Sequence, residues 1–172
     1  PRGHAGRSRC GGGAAGVRRI RRRSRERGSL IWFADSSSLV TLYVPEPGFD
    51  MVRALPEPLV VSALAQVEIA SAFWRKQRLG ESSARDALLL SDQVRADLAD
   101  GRLLALEVTS SILTEAERAV ARHGLRAYDA VQLATAIVAR SALGALDGVA
   151  TADGALADAA LAEGFALLPR HE

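Results

Sequence analysis

From Leu30 onward, short unbroken apolar runs alternate with longer stretches whose apolar positions recur every three or four residues. The first kind reads as a strand buried on both faces, the second as an amphipathic helix. LIWFA (30–34), PLVVS (58–62), LLALEV (103–108), GVATAD (148–153) and FALLP (165–169) are the candidate strands. SSLVTLYV reads as the first helix, ended by Pro45 and Pro47. The second, over 64–80, closes at Gly80 and has Val67, Ala70 and Trp74 at helical spacing. The third, over 81–101, places Ala84, Leu88 and Val94 to Leu98 inward and stops at Gly101. Segment 109–124 opens like a capping box at Ser110 or Ser111 and stops at Gly124. Segment 127–144 is a long alanine-rich helix, and ALADAALAEG is the last one. Strands alternating with helices, with no hairpin signal between them, predict a three-layer α/β/α sandwich around a parallel sheet of four to five strands.

Composition narrows the picture in three ways. The 172 residues make one domain's worth of chain, and only 5% are aromatic, so the core must be aliphatic and rich in alanine. No apolar run approaches the length of a membrane span. Cys10 is the sole cysteine, which excludes an intrachain disulfide and fits a reducing, cytoplasmic setting.

Charge divides the chain. Residues 1–29 hold ten arginines against one acid, Glu26, a balance of +9 within a net charge of +2, so the remainder carries −7. The Gly-, Arg- and Ser-rich opening has too little apolar periodicity to offset the entropy of ordering and is expected to be a disordered basic tail. Three roles compete for it: an arm gripping RNA phosphates, a targeting peptide, or sequence upstream of the natural start, since the chain opens at Pro1 and its one Met is Met51. The folded domain is expected to span 30–172.

Within that acidic domain, four carboxylates stand where elements begin or turn: Asp35 in FADSSSLV, Glu68 in VEIASAFWRK, Asp129 in YDAVQLATA and Asp153 in TADGALADAA. In open parallel sheets, ligands bind beyond the carboxyl ends of the strands. Asp35 and Asp153 follow strands directly, while Glu68 and Asp129 lie in the first turns of helices, so all four can project over one edge. Each has an ordinary structural reading as well. Asp35 before three serines suits an N-cap, Asp129 suits a helix dipole, and Asp153 before Gly154 suits a turn. Glu68, between Val67 and Ile69, has the weakest such reading. Gathered together, four acids make a poor core and a good holder for a hard divalent cation.

These four segments resemble the PIN domain, and in particular the VapC-type toxin ribonucleases of bacterial toxin–antitoxin pairs. The resemblance covers roughly 30–170, and YDAVQLATA is its most specific piece. It implies an endoribonuclease dependent on Mg²⁺ or Mn²⁺, with Asp35 and Asp129 as direct ligands. Glu68 and Asp153 would then hold water or a second ion, and Glu68 would help to deprotonate the attacking water. Ser37 and Thr151 would orient the carboxylates. Arg75, Lys76, Arg78 and Arg126 are the candidates for contact with RNA phosphates, although each also suits a solvated helix end. The resemblance further implies a cognate antitoxin that lays a helix across the groove, and a homodimer. For the dimer, Leu39 to Val44 and the Phe73–Trp74 region are apolar candidates that serve equally well as core.

Other readings fit less well. A von Willebrand A-type adhesion site requires a second Ser where Leu39 stands. A receiver domain requires a late strand-end Lys, but the one lysine is Lys76, and a haloacid-dehalogenase-type phosphatase requires Asp where Ser37 stands. A non-catalytic PIN relative that binds RNA or a partner is the main alternative.

Overall fold

The computed structural model describes residues 30–45 and 49–168. The Arg-rich segment 1–29, and with it the expected disordered tail, lies outside the described residues. Five strands form one parallel sheet: β1 (Trp32–Ala34), β2 (Leu59–Ser62), β3 (Leu103–Leu106), β4 (Gly148–Ala150) and β5 (Ala166–Leu167). Their order is β3-β2-β1-β4-β5. The chain therefore builds outward from β1 on one side, then crosses back to add β4 and β5 on the other. The change of direction opens a crevice at the carboxyl ends of β1 and β4.

Seven helices complete the described chain: α1 (Ser36–Tyr43), α2 (Phe49–Arg53), α3 (Ala65–Arg78), α4 (Ala84–Asp100), α5 (Ser110–His123), α6 (Ala127–Leu143) and α7 (Gly154–Ala162). Because side chains alternate across a strand, the sheet feeds two cores. Ile31, Phe33, Val60 and Val149 pack with α5, α6 and α7, whereas Trp32, Ala34, Leu59 and Val61 pack with α1, α3 and α4. Burial on both faces is why the strands read as continuous apolar runs. Ala116, Ala119, Ala130, Ala134, Ala136 and Ala139 make up much of the α5–α6 side, giving the alanine-rich core that the composition required. Close approach also decides one glycine. Gly148 pairs with Trp32 across β1 and β4, and a Cβ there would come within 2.8 Å of three indole ring atoms.

The predicted three-layer architecture holds, with local corrections. On α3 the buried stripe is Ala65, Ile69 and Phe73, while Val67 is 70% exposed. On α4, Ala87, Val94 and Asp97 face inward and Ala84 and Leu88 face outward. Three consecutive leucines (88–90) left that helix face ambiguous, and a buried acid was not an obvious inward residue. Asp97 is tolerated because Tyr43 Oη–H, Gln93 Nε2–H and Arg102 all donate to its carboxylate. The N-cap of α5 is Thr109, whose hydroxyl accepts from Ile112 N–H, one residue before the expected serines. Leu39, Val40 and Phe73 are buried, so at those positions core wins over an exposed dimer face. Helix α2 was not anticipated between the prolines and β2. Residues 151–153 leave the strand to cap α7.

Candidate active site

Asp35 follows β1 directly and caps α1. Its backbone is extended (φ −77°, ψ 169°), and its Oδ1 accepts from Ser38 N–H at 3.1 Å. This is the local geometry that Asp followed by serines favours. The Ser37 hydroxyl lies 2.8 and 3.0 Å from the two carboxylate oxygens and donates to them. Asp35 is only 4% exposed, and burial pushes its pKa up, opposed by the bonds from Ser38 and Ser37. Two further bonds fasten this corner to β4: Asp35 N–H donates to Ala150 O at 3.1 Å and Ser38 Oγ–H donates to the same carbonyl at 2.8 Å.

Beyond β4 the chain turns through Thr151, Ala152 and Asp153. Ala152 N–H donates to Ser37 Oγ at 2.8 Å, and Asp153 N–H donates to Thr151 Oγ1 at 3.0 Å. Asp153 caps α7 by accepting from Leu156 N–H at 2.9 Å. Thr151 therefore shapes the turn that carries Asp153 by bonding to its main chain.

Asp129 stands in the first turn of α6 and is half-buried. Burial raises its pKa, and the Asp153 and Glu68 carboxylates raise it further, while Arg126 at the N-cap opposes them. These couplings place Glu68, Asp129 and Asp153 in one electrostatic neighbourhood, although they come from α3, α6 and the β4–α7 turn. Asp35 joins them through hydrogen bonds, by way of Ser37 and Ala152. Glu68, in the first turn of α3, accepts from Gln132 Nε2–H at 2.6 Å.

The donor set is chemically suited to a hard cation: carboxylate oxygens held by hydroxyl and amide donors, with burial raising the proton affinity of Asp35 and Asp129. Among the described residues, however, no three Asp, Glu, His or Cys side chains converge closely enough to enclose an ion.

The cationic candidates divide. Arg75 and Lys76 line a cleft of about 460 Å³ between α1 and α3 that also reaches Ser37 and Ala152. Lys76 is paired with Glu81 at 3.2 Å. Arg78 is exposed and lies ten residues beyond Glu68, roughly 15 Å along the helix axis. Arg126, the N-cap of α6, is near enough to Asp129 to oppose the rise in its pKa. His123, the last residue of α5, pairs with Glu163 at 2.9 Å.

Two participants escaped the sequence reading. Gln132 was absorbed into an apolar helix pattern, and its one signal was its place three residues after Asp129, on the same helix face. The Ala152 N–H, a main-chain donor, carries no side-chain signal at all.

The family model of the PIN domain matches residues 33–162. No curated protein matches the chain in sequence. Among solved structures, the fold is similar to that of Mycobacterium tuberculosis VapC20, described as a sarcin-ricin loop cleaving toxin. The match has a TM-score of 0.57 and 18% identity, covering 81% of this chain and 99% of that one. At that identity the likeness is one of fold.

Proposed function

This chain belongs to the PIN domain family, and from that membership we propose that it is a divalent-metal-dependent endoribonuclease acting as the toxin of a toxin–antitoxin pair. The observation that carries the proposal is Asp129, whose pKa is raised by burial first and then by the Asp153 and Glu68 carboxylates near it, at the crevice where Asp35 is also anchored. A carboxylate whose proton affinity is raised by burial and by neighbouring acids has poor stability value and is a common mark of a functional site.

Asp35 and Asp129 would hold the ion directly, with Glu68 and Asp153 holding its waters or a second ion. Bound there, Mg²⁺ or Mn²⁺ supplies Lewis acidity toward the phosphoryl oxygens and a water of lowered pKa. The chain's own residues do the rest. Ser37 fixes the Asp35 carboxylate, and Thr151 fixes the turn that presents Asp153. Glu68 accepts the proton of the attacking water as its oxygen bonds to phosphorus, and the departing ribose oxygen takes a proton from solvent. Arg75, Lys76 and Arg126 meet the flanking phosphates, with Arg78 at the far end of α3. As a toxin the protein would pair with a cognate antitoxin protein and form a homodimer in the cytoplasm. Among the described residues no helix is long and apolar enough to cross a membrane.

A second reading, a PIN relative that binds RNA or a partner without cutting, draws support from two facts. Asp35 and Asp153 are satisfied as helix caps, and among the described residues no three acids converge into a ready cage. One experiment separates the two. Total bacterial RNA is incubated with the protein in Mg²⁺ or Mn²⁺, with EDTA and Asp129→Asn as controls. Discrete fragments that vanish in both controls establish the nuclease. RNA left intact by a folded, metal-binding protein favours the binding module over a nuclease acting on these RNAs.

A further inference from the structure

Gln132 is only 2% exposed, in a stretch of α6 where Leu133, Ala134 and Ala136 are also buried. Its Nε2–H donates to Glu68 Oε2 at 2.6 Å, while its Oε1 is buried with no hydrogen-bond partner among the described residues. A buried acceptor left unpaired costs stability, and an apolar side chain of the same length would avoid that cost. The neighbouring polar residue on the helix, Thr135, is satisfied by donating to Val131 O at 2.7 Å, so Gln132 stands apart.

We infer that Gln132 is a positioning residue for Glu68, kept at the expense of the fold's stability. An ionised carboxylate only accepts, so it dictates which end of the amide faces it, and Oε1 is thereby turned into the protein. Gln132 also lies on the face of α6 that carries Asp129, one turn along. Glu68 thus feels repulsion from Asp129 and attraction from the amide below it. One of its oxygens is tied down, and the other is left for an ion or a water. The inference deepens the nuclease reading and rests on Glu68 belonging to that site.

Two variants test it. Gln132→Met keeps length and removes both polar atoms, and Gln132→Glu keeps shape but replaces the donor by an acceptor. Mn²⁺ affinity is measured by titration calorimetry on each folded protein, and melting temperature is measured without metal. The expected result is Mn²⁺ binding weakened by about tenfold to a hundredfold in both variants, with a fall in kcat at unchanged KM. The metal-free Gln132→Met protein should melt no lower than the wild type. In a Glu68→Gln background, Gln132→Met should add little further loss, because the pair acts as a unit. Unchanged Mn²⁺ affinity in both variants would overturn the inference, as would a lower melting temperature in Gln132→Met with unchanged affinity in Gln132→Glu. Should Gln132→Met fail to fold, the affinity of Gln132→Glu decides alone. A wild type that binds Mn²⁺ but cuts no RNA would sink the nuclease reading while the affinity comparison still judges Gln132. A wild type that binds no Mn²⁺ would overturn both.

Discussion

Ser37 ties Asp35 to the neighbouring strand's exit: its hydroxyl donates to the Asp35 carboxylate, 2.8 Å from the nearer oxygen, and accepts from Ala152 N–H at the same distance. One hydroxyl thus sets both a buried carboxylate and the turn carrying Asp153. Ser37→Ala should lower RNA cleavage by about tenfold to a hundredfold, since groups that orient a ligand are worth that much. Stability should fall by only about 1 kcal/mol. Ser37→Thr keeps the hydroxyl and should retain most activity. Single-turnover cleavage alongside urea denaturation of the three proteins checks this.

Asp129→Asn should stabilise the metal-free protein at neutral pH. Burial, Asp153 and Glu68 together raise the Asp129 pKa above 3.8, so the folded state holds its proton to higher pH than the unfolded chain does. The sign follows: stability contributed by this group falls as pH rises from 3.8 through the folded pKa, and the penalty is fully present above it. Removing the charge lifts that penalty. Because Asp129 is half-exposed, solvent screening limits the gain, and a rise in melting temperature of about 2 °C is expected. Mg²⁺ should raise the melting temperature of the wild type and have less effect on the variant. Metal-free thermal melts between pH 4 and 8, with and without Mg²⁺, measure both effects.

Much of this arrangement was legible in the chain, for identifiable reasons. Continuous apolar runs announced a sheet buried on both faces, and Gly101, Gly124 and Gly144 mark helix ends in left-handed conformations. Asp35 and Asp153 were visible because a helix start has a chemical signature. What stayed hidden depends on which face of a helix turns inward. Val67 and Leu88 look like core by type but face solvent, and Asp97 and Gln132 look like surface but are buried. Asp97 and Gln132 each draw on a partner far along the chain: Tyr43 for Asp97, Glu68 for Gln132. Periodicity within one helix carries no information about such partners.

The Tyr43–Asp97 bond should be worth more to the fold than its exposed neighbours. Tyr43 Oη–H donates to Asp97 Oδ2 at 2.8 Å, joining α1 to α4, and the Tyr43 ring meets Phe73 edge-on with centroids 6.2 Å apart. Tyr43→Phe keeps the ring and leaves Asp97 with Gln93 and Arg102, so a loss of about 1–2 kcal/mol is expected. Asp97→Ala strips three donors of their acceptor and should cost about 2–4 kcal/mol. The Tyr43 pKa is raised above 10.0 by burial first and by Asp97 second. Its contribution is therefore fully present below pH 10 and lost as pH rises beyond it, when the unfolded chain ionises first. Urea unfolding at pH 7 and at pH 10.5 should show a larger drop for the wild type than for Tyr43→Phe.

Arg75 and Arg78 should behave differently toward RNA, although they lie one turn apart. Arg75 lines the cleft that reaches Ser37 and Ala152, and Arg78 is not among its lining residues. A strand entering along that cleft would place a phosphate against Arg75 before its scissile bond reaches Asp129. Arg75→Ala should therefore raise KM several-fold with little change in kcat, the pattern of an interaction made equally in ground and transition states. It should also flatten the log–log salt dependence of binding by about 0.7, the contribution of one phosphate contact to a single strand. Arg78→Ala should leave that slope near the wild-type value. Fluorescence anisotropy with a single-stranded RNA oligonucleotide across a range of KCl concentrations, using the Asp129→Asn background to prevent cutting, measures both slopes. Equal slopes for the two variants would mean that RNA reaches the acids by another path, with Arg126 at the N-cap of α6 the next cation to test.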